Sequence, residues 1–154
     1  MKQKIIIDTN LLVLLIVGLY DPQYIPNHRR LGDYSPEDFE ILMLFIDDHE
    51  VVVTTSVLTE ASNLLWYTSE PHKHNIRHLL ATFIASATEH RPESVTTAKS
   101  PHFLKLGLTD AGILELPADS GLILTVDLDL HIAALERGLR SENFTHHRTF
   151  LSHP

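Results

Sequence analysis

The run Ile5-Ile6-Ile7, followed at once by Asp8 and then by the apolar stretch Leu11 to Leu15, constrains this chain more than any other feature. Three consecutive β-branched residues make a strand apolar on both faces, and such strands occur in parallel sheets covered on both sides. A carboxylate directly after the strand is held at its carboxyl end, where open α/β sheets place their ligand crevice. An α/β fold is therefore expected, and Asp8 is a candidate functional residue by position alone.

The remaining elements follow from periodicity and caps. Lys4–Ile7 is predicted as the first strand and 10–19 as the helix after it, closed by Gly18 and Asp21-Pro22. Residues 20–34 read as a polar loop carrying His28-Arg29-Arg30. Ser35-Pro36-Glu37-Asp38 supplies a cap, a first-turn proline and first-turn acids, so a helix starts there and continues to about His49. Val51–Thr54 is a second strand, Ser56 is expected to cap a helix through Trp66, and Pro71 starts another. Glu93–Thr97 is either a short strand or a connector. Ser100-Pro101 opens a short helix that stops at Gly107, and Thr109 caps the next. Leu122–Val126 is a strand ending at Asp127, a helix runs from Leu130 to Arg137 with Gly138 as its stop, and Asn143–Thr145 suits an edge strand. No repeat or linker divides the chain, so residues 1–154 are expected to form one domain.

Strands separated by one or two helices predict a three-layer α/β/α architecture with a central parallel sheet. Right-handed crossovers bring every carboxyl end to one edge. Asp8 and Asp127 share that edge, Glu60 faces it from one turn into the helix after the second strand, and Asp110 opens the helix before the Leu122 strand. The absence of cysteine excludes disulfides and thiolate chemistry. No apolar window reaches the ~18 residues of a membrane span, and no signal peptide is read, so a cytoplasmic protein without membrane association is expected. A net charge of -8 argues against binding a polyanion unless part of the acidic charge is neutralised by divalent cations.

Each acid also has an innocent reading. Asp8 can be a helix cap, Asp110 can serve a helix macrodipole, and Asp129 stands where the following helix wants its N-cap. Glu60 does not fit a capping box, because three residues after Ser56 comes Thr59; with Ala61, Leu64 and Leu65 around it, it borders an apolar face and needs a partner. Four converging carboxylates repel one another, and oxygen-preferring cations such as Mg2+ or Mn2+ remove the conflict. Arg29 and Arg30, Lys73 with Arg77, Lys99 with Lys105, and Arg148 could contact a phosphate backbone, although each also reads as solvated surface charge. Among the eleven histidines, His72, His74, His146 and His147 are read as lacking a helical i, i+4 partner and so as no metal site; His131 is read as surface or packing, and Trp66 and Phe83 as core.

Four stretches carry a resemblance. Ile5-Ile6-Ile7-Asp8-Thr9-Asn10, Ser56-Val57-Leu58-Thr59-Glu60, Leu106-Gly107-Leu108-Thr109-Asp110 and Leu124-Thr125-Val126-Asp127-Leu128-Asp129, in this order and spacing, closely resemble the PIN-domain nucleases. The resemblance implies a parallel sheet of about five strands and Mg2+- or Mn2+-dependent cleavage of RNA. It carries Asp8, Glu60, Asp110 and Asp127 as catalytic and metal-holding residues, with Asp129 as a further ligand at a more variable place. Asn10 and Thr125 would be helpers; apart from the resemblance, Arg29, Arg30 and Lys105 are the candidate RNA contacts among the cations named above. The size also resembles the toxin half of bacterial toxin–antitoxin pairs, which implies an antitoxin partner and makes a homodimer plausible. Two other readings remain open: a haloacid-dehalogenase-like phosphatase, suggested by Asp127-Leu128-Asp129 after a strand, and an inactive RNA- or protein-binding module. Neither a Gly-x-Gly-x-x-Gly run nor a P-loop is present.

Overall fold

A computed structural model of the chain describes residues 2–152. Five strands, β1 (Gln3–Ile7), β2 (His49–Thr54), β3 (Thr88–His90), β4 (Leu122–Thr125) and β5 (Ser141–Asn143), form one parallel sheet in the order β3-β2-β1-β4-β5. Around it lie α1 (Thr9–Tyr20), α2 (Pro36–Ile46), α3 (Thr55–Leu65), α4 (His72–Ser86), α5 (Ser94–Ala98), α6 (Phe103–Leu114), α7 (Leu128–Glu136) and α8 (Phe144–Ser152). The result is a three-layer α/β/α fold with a parallel sheet of five strands. Among the described residues no helix is long and apolar enough to cross a membrane.

Burial explains why the first twenty residues dominate. Ile5, Ile6 and Ile7 are all buried, and so are all eight residues from Leu11 to Gly18. A helix apolar all round is a core helix, and α2, α3 and α4 all pack on α1. Gly18 does not end this helix, as its sequence context suggests, but lies inside it. A Cβ there would stand 2.1 Å from Phe39 Cδ1, so glycine is what lets α2 approach.

Other boundaries shift for local reasons. Helix α2 begins as predicted, with a complete capping box between Ser35 and Asp38, but ends at Ile46 because His49 already pairs with Gln3. Thr54, not Ser56, caps α3 by accepting the Val57 N–H. Glu93–Thr97 contributes to helix α5; the third strand is the polar Thr88–His90, which exists only because Val52 to Thr54 template it. Strand β4 ends at Thr125, and α7 starts at Leu128 with Asp127 as its N-cap; Asp129 is inside the first turn. The final edge strand starts and ends two residues earlier than expected, because Phe144 already opens α8.

Topology then locates the crevice. The sheet is built outward from β1, toward β2 and β3 on one side and toward β4 and β5 on the other. The carboxyl ends of β1 and β4 therefore flank the switch point, where open parallel sheets leave room for a ligand.

Candidate functional site

The site grows from the end of β1. Pairing of Ile7 with Leu124 brings Asp8 beside Thr125. Asp8 caps α1 by accepting the Leu11 N–H at 3.1 Å on Oδ1, while Oδ2 accepts the Thr125 hydroxyl at 2.5 Å and the Val126 N–H at 3.0 Å. The residue is 5% exposed. Burial pushes its carboxyl above the usual range; the hydrogen bonds from Thr125, Leu11 and Val126 pull it back, and the negative charge of Asp127 adds to the rise. Thr125 also accepts the Asp127 N–H at 2.9 Å, so one buried hydroxyl ties the Asp8 carboxylate to the Asp127 backbone. Asp127 caps α7 through the Leu130 N–H and remains exposed.

The opposite wall is helical. Glu60 projects from α3 and is exposed at the border of its buried face; its Oε2 lies 3.5 Å from the Thr9 hydroxyl, at the limit of a hydrogen bond. Its neighbours Ala61 and Leu65 take the buried face instead. Asp110 follows a break in α6 at Gly107, whose φ of 82° and ψ of 175° suit glycine almost alone. Its half-buried carboxyl is pushed up to about 7, first by desolvation, then by the charges of Asp127 and Asp8, direct contact with Asp127, and the charge of Glu60.

All four acids line one crevice of 330 Å³, together with Thr9, Asn10, Gly107, Thr109, three leucines and, among the described residues, a single cation, Arg30. Among the described residues no three carboxylate or imidazole groups already stand as a metal-ligand cluster.

Several predicted participants fall elsewhere. Asp129 does not line the crevice and pairs with Lys105 at 3.8 Å, which also accounts for Lys105. Arg29 is outside the crevice, its guanidinium 5.3 Å from the centre of the Tyr67 ring. Arg148 holds both oxygens of buried Asp38 at 2.9 Å and lies over Tyr34, a latch between α8 and α2. His131 bonds Ser141 Oγ at 2.6 Å. Contrary to the sequence reading, His74 does have a helical i, i+4 partner: its ring and that of His78 are 4.6 Å apart on α4. Nothing in the sequence separated Arg30 from Arg29. The structure does so through His28, whose Nδ1 accepts the Arg30 N–H at 3.1 Å and fixes the loop beside the crevice.

Compared with family models, with curated proteins and with solved structures, the chain matches none.

Proposed function

We propose that this chain is a Mg2+- or Mn2+-dependent ribonuclease of the PIN-domain kind, hydrolysing phosphodiester bonds in the crevice lined by Asp8, Glu60, Asp110 and Asp127. The observation that carries this reading is the convergence of Asp8, Glu60, Asp110 and Asp127 on one crevice; desolvation first, and then the charges of Asp127, Asp8 and Glu60, push the Asp110 carboxyl up to about 7 in it. The donors are all oxygen, which suits Mg2+ and Mn2+ and not a soft metal. Asp8, Glu60, Asp110 and Asp127 would hold the ions. Bound there, divalent cations would polarise the phosphate and make water more acidic.

The rest is done by the chain. Thr125 orients Asp8 and Asp127 through its hydroxyl hydrogen and oxygen. Asn10, exposed at the start of α1, offers an amide to a bound backbone, and Arg30 offers a guanidinium. The phosphatase reading needs both aspartates of Asp127-Leu128-Asp129 in one pocket, whereas Asp129 lies outside it with Lys105. A role as the toxin of a toxin–antitoxin pair, with an antitoxin partner or a second copy of the chain, rests on the sequence resemblance.

The test is direct. Purified protein is expected to nick RNA with Mg2+ or Mn2+, to stop in EDTA, and to lose roughly 10²–10³-fold in rate as Asp8→Asn or Asp127→Asn. Wild-type rates in both variants would refute the proposal.

A further inference from the structure

Beyond the crevice, two guanidinium–ring pairs meet on the turn that follows α3 and form one strip of surface. Leu64 and Arg30 line the crevice, and the chain after Leu64 continues through Leu65 to Trp66 and Tyr67. The Arg77 guanidinium lies 4.0 Å from the centre of the Trp66 ring, and Arg29 lies 5.3 Å from that of Tyr67, which is 49% exposed. In a chain of net charge -8, residues 28–30 and 66–78 hold four cations, Arg29, Arg30, Lys73 and Arg77, against one carboxylate, Glu70.

The strip is held in shape from beneath. Buried His28 accepts the Arg30 N–H on Nδ1, and its Nε2, which has no well-formed hydrogen bond, is turned to the Leu65 carbonyl at the end of α3. The Tyr24 ring meets His28 edge-on and stacks on His72 at 4.3 Å; its hydroxyl bonds Thr68. Tyr20 OH bonds His72 Nδ1 at 2.5 Å. The loop bearing Arg29 and Arg30 and the turn bearing Trp66 and Tyr67 thus form one preorganised surface, which lowers the ordering cost of binding.

We propose that this strip is the approach track for single-stranded RNA, with bases stacking on the Arg29–Tyr67 and Arg77–Trp66 pairs and the backbone passing Arg30 into the crevice. The direction of the track rests on the nuclease reading; the binding itself does not. A guanidinium stacked on a ring offers a flat cationic face on which any base can lie, something a lysine cannot provide. Such stacking needs unpaired bases, so a duplex, whose base faces are hidden, gains only the charge term.

Fluorescence anisotropy with a labelled single-stranded oligoribonucleotide of about a dozen nucleotides tests this. The same strand annealed to its complement is the comparison, and both are titrated in EDTA. The single strand is expected to bind more tightly than the duplex. Tyr67→Ala and Arg77→Ala should each weaken its binding by about tenfold, Tyr67→Phe should retain it, and Arg77→Lys should lose most of it despite keeping the charge. Unfolding midpoints matching wild type would place the loss at the surface rather than in the fold. Wild-type binding by Tyr67→Ala and Arg77→Ala, equal affinity for the duplex, or displacement of RNA by a polyglutamate peptide of equal charge would each overturn the inference. Stacking-dependent binding without metal-dependent cleavage would leave this inference standing and remove the nuclease proposal. Metal-dependent cleavage with unaltered binding by the variants would do the reverse.

Discussion

The two walls of the crevice hold the same chemical group in opposite circumstances. On the sheet side, Asp8 is buried but accepts from Leu11, Thr125 and Val126, so the fold itself balances much of its charge. On the helical side, Asp110 is half-buried, and its carboxyl is raised to about 7, first by desolvation and then by the charges of Asp127, Asp8 and Glu60. Burial raises both carboxyls; what differs is the company each keeps, three hydrogen-bond donors at Asp8 and like charges around Asp110. One wall is a finished part of the architecture. The other crowds carboxylates together.

If the sheet wall is structural, breaking it should show first in stability. Asp8→Ala strands two backbone N–H groups and the Thr125 hydroxyl, and a loss of about 2–4 kcal/mol in urea unfolding is expected. A loss below about 0.5 kcal/mol would mean that water replaces the carboxylate and that the walls do not differ as described. The helical wall depends on backbone shape. Gly107→Ala forces a Cβ into a conformation suited to glycine, which should cost about 1–3 kcal/mol and, by moving Asp110, slow metal-dependent cleavage.

Asp110 gives the sharpest contrast, because its removal should act in the opposite direction. Its folded-state carboxyl lies above the ordinary aspartate value of 3.8, at about 7, so between about pH 4 and pH 7 the folded protein holds a proton that the unfolded chain releases. Metal-free stability from this group is therefore full below pH 4 and is lost as pH rises toward 7. Asp110→Asn is expected to stabilise the metal-free protein by about 1–2 kcal/mol at pH 8 and to change little at pH 4, while abolishing cleavage. Unfolding curves at the two pH values check the sign; an equal or destabilising effect at pH 8 would erase the difference between the walls. The smallest effect belongs to Asp129→Asn. An exposed pair with Lys105 outside the crevice should change stability by less than about 0.5 kcal/mol and leave the cleavage rate within about twofold.

Much of this arrangement was legible in residue order. Each strand that lies inside the sheet announces itself by a short apolar run, and the capping set at Ser35 to Asp38 marks a helix start without help from tertiary structure. Strand β3 was not legible, because Thr88, Glu89 and His90 carry no apolar signal and adopt a strand only through pairing with β2. The same gap applies to the caps. Ser56 and Thr54 are equivalent as letters, as are Asp127 and Asp129; the choice depends on where each strand runs out, and pairing partners decide that.

The sequence by itself determined the α/β class, the buried strand that ends in Asp8, and the set of acids that a shared sheet edge could gather. Local periodicity and propensity are enough for that, since they act over a few residues. Only the tertiary structure decided that Arg30 and not Arg29 lines the crevice, that Asp129 is left outside, and that Asp8 is satisfied where Asp110 is not. Those outcomes depend on strand order and register, which bring Thr125 to Asp8 across 117 positions of chain, and on a few ångström of displacement that residue order does not encode locally.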